Sequence, residues 1–72
     1  MARLNRVVKA VESLGCSVTK PKRGSHWKVS KEGHRPYTLP ASNGKRTDID
    51  DNYIRGLCRN FGFDADEFRG LL

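Results

Sequence analysis

Long apolar runs are missing from this chain, and none approaches the roughly 20 residues that a membrane-crossing helix needs. The first residues, Met1 to Ala10, lack the apolar block and small-residue cleavage site of a secretory leader, so the expected compartment is the cytoplasm. Cysteine is scarce as well: Cys16 and Cys58 are the 2 present, too far apart for the paired spacings of a zinc site or a disulfide framework. Both are expected to be buried free thiols. Adding His26 and His34 creates no C-x-x-C or H-x-x-x-H pattern, so no metal is expected. Length is the last shortage. At 72 residues the chain is one domain, 1–72, with no room for a cofactor cleft between domains. A single core of this size contributes only about 3–5 kcal/mol, and no small-molecule cofactor is expected.

The composition that remains, 36% hydrophobic and 31% charged, is that of a folding chain rather than a disordered one. Its charge is uneven. Residues 1–46 carry 11 basic and 2 acidic side chains, whereas residues 47–72 carry 3 basic and 6 acidic, giving +6 overall. Between Lys20 and Arg35, six cations face only Glu32. Such a cluster can be a solvated face that keeps a protein soluble. It can equally release counterions from a phosphate backbone, which makes nucleic acid the expected partner.

Leu4, Val7, Val8, Val11 and Leu14 recur at helical spacing, and Gly15 follows, predicting a helix over about 2–14. Cys16 to Lys20 alternates as a strand ended by Pro21, and Ser25 to Lys31 alternates again. In that second strand Trp27 and Val29 point to the core, with His26 and Lys28 on the opposite face. A third strand over Arg35 to Leu39 turns Tyr37 and Leu39 inward and ends at Pro40. Residues 40–46 read as a polar, mobile loop in which Asn43-Gly44 is the strongest turn signal. Asp48 is the expected N-cap of a second long helix whose apolar stripe is Ile49, Tyr53, Ile54, Leu57, Cys58 and Phe61, closed by Gly62. Asp64 and Glu67 open a short last helix that folds Phe68, Leu71 and Leu72 onto the core. The expected fold class is α+β, with α-β-β-β-α order, a short C-terminal helix, and a three-stranded antiparallel sheet covered on one face.

The uncovered face is where chemistry is expected. Gly24-Ser25-His26 lies at the mouth of the second strand, directly after Lys20-Pro21-Lys22-Arg23. Imidazole is the side chain suited to moving protons near neutral pH, and His26 projects with Lys28 from the open face. A metal-free ribonuclease needs a base to take the 2′-hydroxyl proton and cations to stabilise the charge that builds on the phosphate. His26 fits the base. Lys28, Lys22 and Arg23 fit the cations, and Lys28 or water is left to act as general acid, because His34 belongs to a turn. Gly24 lets the backbone turn closely beside RNA, and Ser25 orients the loop or a phosphate. Lys20, Lys45 and Arg46 complete the expected RNA-binding set. Trp27 could stack a base, but its alternation with Val29 favours the core.

Gly24-Ser25-His26, the strand end Tyr37-Thr38-Leu39-Pro40, and Phe63-Asp64-Ala65-Asp66-Glu67-Phe68 together resemble the HicA toxins of bacterial toxin–antitoxin pairs, over roughly Leu4 to Leu72. The resemblance implies a fold similar to the double-stranded-RNA-binding domain and an mRNA interferase activity that depends on His26. It also implies a HicB-type antitoxin that masks the His26 face. Many members carry a second histidine after the strand-ending proline, where this chain has Ala41-Ser42. Two other readings stay open. One is a non-catalytic double-stranded-RNA-binding module that uses the same basic face. The other is a DNA-binding helix-turn-helix, against which the acidic start of the last helix counts.

Overall fold

The structure is a computed structural model that describes residues 1–72. The elements run β1 (Ala2–Arg3), α1 (Leu4–Ser13), β2 (Ser17–Thr19), β3 (His26–Ser30), β4 (Tyr37–Pro40), a 3₁₀ turn (Gly44–Arg46), β5 (Asp48–Ile49), α2 (Asp51–Phe61) and α3 (Ala65–Arg69). The architecture is the expected α+β layout, with a three-stranded antiparallel sheet in the order β2-β3-β4. No helix is long and apolar enough to cross a membrane.

Pairing of Val18 with Val29, Val29 with Tyr37 and Trp27 with Leu39 puts these five side chains on the helix-covered face. Against them α1 buries Leu4, Val7, Ala10 and Val11, and α2 buries Ile54, Leu57, Cys58 and Phe61. Phe68 of α3 completes this core. Burying a Leu, Val or Phe side chain is worth about 1.5–3 kcal/mol each, so this single cluster is the main source of stability.

Several expectations need correction. The first helix starts at Leu4, because Ala2 and Arg3 pair instead with Ile49 and Asp48. The Leu4 N–H finds the Thr47 carbonyl at 2.8 Å, so the uncapped helix start keeps a partner for that donor. Asp50, not Asp48, caps α2, its carboxylate accepting from the Tyr53 N–H at 3.1 Å. Asp48 and Ile49 form β5 instead, which sends the Ile49 side chain into the core. Tyr53 lies on the exposed side of α2, and Leu71 is 51% exposed rather than folded onto the core. At α3 the expected cap is present, with Asp64 accepting from the Glu67 N–H at 2.9 Å.

The segment expected to be a mobile loop is closed on itself by Thr47, the one buried polar residue, at 7% exposure. Its hydroxyl donates to the Gly44 carbonyl at 2.8 Å and accepts from the Asn43 N–H at 2.9 Å. At the β4 edge of the covered face, Gly56 lets α2 approach the sheet, because a Cβ there would overlap the Tyr37 hydroxyl. That hydroxyl donates to the Tyr53 carbonyl at 3.2 Å. Burial, and to a lesser degree Tyr53, push the Tyr37 phenol above its usual value.

Candidate nucleic-acid interface

The outer face of the sheet is set by the same ladder that fills the core. Lys28 lies between Thr19 on β2 and Thr38 on β4, and His26 lies opposite Pro40. Cross-strand partners sit about 4.5–5.5 Å apart at Cβ, so Thr19, Lys28 and Thr38 form one hydroxyl–ammonium–hydroxyl row. His26 is two residues from Lys28 on the same strand face. All four side chains are exposed. The ladder continues one step past β3, where the Ala41 N–H donates to the Ser25 carbonyl. The backbone around His26 is therefore held from both sides of the residue, while the imidazole faces solvent.

Gly24 has φ +102, a region that glycine enters at no steric cost, and nothing lies within 4 Å of where a Cβ would stand. The requirement for glycine is thus conformational, as expected from its position at the strand mouth. Ser25 is exposed, and its backbone carbonyl accepts from the Ala41 N–H.

The expected cations do not form one patch. Lys28 shares the open face with His26. Lys22 and Arg23 are exposed in the loop between β2 and β3. Lys20 turns the other way, its ammonium 4.9 Å from the centre of the Trp27 ring on the helix side. Lys45 faces the same side, beside Trp27, and Arg46 is exposed on the 3₁₀ turn. Trp27 itself is only half-buried, less enclosed than its alternation with Val29 suggests.

His34 is the histidine that the chain holds in place. Its Nδ1 lies 3.1 Å from the Asn60 carbonyl, and since a carbonyl only accepts, Nδ1 carries the proton. Asn60 returns a bond from Nδ2 to the Arg35 carbonyl at 2.7 Å. The pair clamps the β3–β4 turn to the end of α2. The length of β3, about 13 Å at strand rise, separates that turn from His26, so the two imidazoles cannot serve one phosphate. Cysteine nucleophiles are also disfavoured. Burial pushes the thiols of Cys16 and Cys58 up, which keeps them protonated, although Lys31 opposes the effect at Cys16.

What the open face can do follows from its parts. It offers one exposed imidazole, one ammonium two residues away, flanking hydroxyls, and a basic loop at its lip. That set can grip a phosphodiester and move a proton. Thr19 and Thr38 join the site only through the strand pairing, although alternation with Val18 and with Tyr37 and Leu39 already turns both outward. Comparison with models of protein families, with curated proteins and with solved structures finds no match to this chain.

Proposed function

We propose that this chain is a metal-independent endoribonuclease of the HicA type, a toxin that cleaves mRNA in the cytoplasm with His26 as its general base. The observation that carries the reading is the placement of exposed His26 and Lys28 together on the uncovered sheet face, beside the basic loop 20–25. The likeness of Gly24-Ser25-His26 and the closing Phe63–Phe68 segment to HicA toxins supports it.

In this reaction neutral His26 takes the proton from a ribose 2′-hydroxyl, and the freed oxygen attacks the adjacent phosphorus. The phosphorus–O5′ bond breaks, leaving a 2′,3′-cyclic phosphate. The departing O5′ takes its proton from the Lys28 ammonium or from water, and Lys28, Lys22 and Arg23 offset the charge on the phosphoryl oxygens. DNA lacks the nucleophile and is not cut. In keeping with the HicA resemblance, a HicB-type antitoxin covering the His26 face supplies control.

The test is His26→Ala, which removes an exposed side chain that makes no hydrogen bond within the chain and should leave the circular dichroism spectrum unchanged. Positioned general bases contribute about 10²–10⁴-fold, so cleavage should fall at least 100-fold, together with growth arrest on expression. Cleavage by the purified variant at the parent rate would overturn the proposal and favour a non-cleaving RNA-binding module.

A further inference from the structure

On the helix side of the sheet, α1 leaves the loop end of the β2–β3 hairpin uncovered. Between them runs a groove of about 400 Å³. Its floor is apolar, made by Val8, Val18 and the half-buried Trp27. Its rim is cationic, made by Lys9, Lys20 and Lys45, with Glu12 as the single carboxylate. None of the three lysines has a carboxylate within 4.0 Å, since every ion pair of the molecule lies in residues 51–69. The Lys20 ammonium lies over the indole instead.

An indole wants a planar apolar partner, and three unpaired ammonium groups around it want an anion. One ligand carries both properties in adjacent groups: a nucleotide, with its base and its phosphate. A duplex cannot present them this way, because its bases are already stacked and paired, whereas an unpaired strand can lay a base on an aromatic side chain. The volume is within the range of sites that enclose small molecules. Base stacking outweighs an exposed cation–π contact, so an arriving base displaces the Lys20 ammonium and frees it for the phosphate.

We propose that this groove binds one unpaired nucleotide of the RNA strand cut on the other face, which makes single-stranded RNA the substrate class. The proposal rests on the nuclease reading of the His26 face. His26 and Trp27 are consecutive, with Cα atoms about 3.8 Å apart, but the pleat sends their side chains to opposite faces. A strand reaches both by passing round the hairpin tip, where Lys22 and Arg23 are exposed.

Trp27 is the only tryptophan, so its fluorescence reports on the groove alone. In the 72-residue chain carrying His26→Ala, which spares the RNA, a single-stranded oligoadenylate octamer should quench Trp27 saturably. The added pair Lys9→Ala and Lys45→Ala, both at exposed positions, should weaken that binding at least tenfold. Equal quenching by a fully paired RNA duplex or by polyglutamate, or no quenching by the octamer, overturns the groove assignment. The parent protein separates the two readings. Cleavage without quenching removes the groove and leaves His26 in its role, whereas quenching without cleavage supports the groove and removes the nuclease.

Discussion

Residues 47–72 contain every ion pair in the molecule: Asp51 with Arg55 at 3.4 Å, and Arg69 with Asp51 at 2.9 Å and with Asp66 at 3.2 Å. Residues 1–46 contain 11 basic side chains, and none of them has a carboxylate within 4.0 Å. The acidic part uses its charge internally, tying α2 to α3. The basic part keeps its charge facing out, at the cost of mutual repulsion. Exposed pairs stabilise a fold by at most about 1 kcal/mol each, so the basic part forgoes little stability by leaving its charges unpaired.

The comparison breaks most visibly if charge is moved. Lys22→Glu, Arg23→Glu and Lys28→Glu together take the formal charge from +6 to zero. Binding of single-stranded RNA at about 0.1 M salt should fall on the order of 100-fold, and the salt slope should flatten by about 2, at roughly 0.7 per lost phosphate contact. Arg55→Glu with Arg59→Glu should change that binding less than threefold. An equal fall in both, measured by filter binding across a salt series, would mean that net charge rather than its placement sets affinity.

The remaining predictions probe where the two parts join. Gly56→Ala gains at most about 1 kcal/mol of helix propensity, but its Cβ drives against the Tyr37 ring. Overpacking of about 1–3 kcal/mol should win, and the lost Tyr37–Tyr53 bond adds to it, giving a net loss of about 1–2 kcal/mol in urea unfolding. Thr47→Val keeps the shape and removes the hydroxyl that serves Asn43 and Gly44, so about 1 kcal/mol should be lost. Asp51→Asn breaks two pairs at once, yet the Asp51 side chain is 56% exposed. Its effect should stay below about 1 kcal/mol and vanish in high salt. A larger loss would show that the acidic part depends on its pairs more than exposed pairs allow.

The elements that could be read from the sequence are those specified by neighbours along the chain. The 3.6 period of Leu4, Val7 and Val11, the alternation through Trp27 and Val29, and the Asp64 cap are local, and all appear in the structure. The β1–β5 pairing joins Ala2 to Ile49, two short segments with no local pattern between them. Its formation also decided which aspartate caps α2. Asp48, Asp50 and Asp51 share the capping chemistry, and the need to bury Ile49 in the ladder leaves Asp50 at the helix start. At the candidate site, alternation correctly put His26 and Lys28 on one face. The same alternation through Val18 divides Lys20 from Lys28, but not Lys45, which lies on the 3₁₀ turn, where the surroundings depend on the elements met in three dimensions. Trp27 was half right for the same reason: its face was legible, but the short reach of α1 over that face was not.

The alternation of β3 has one more consequence, for which changes of length the chain can tolerate. Slipping the strand by a single residue would carry the imidazole into the core and the indole into solvent, inverting both faces together. What prevents it is the match of Val29 to Tyr37 and of Trp27 to Leu39. An added residue in the exposed 20–25 loop leaves that match intact and only lengthens the tip. The same residue added between Trp27 and Val29 exchanges inside for outside, so natural variation in length belongs in the loop and not in the strand.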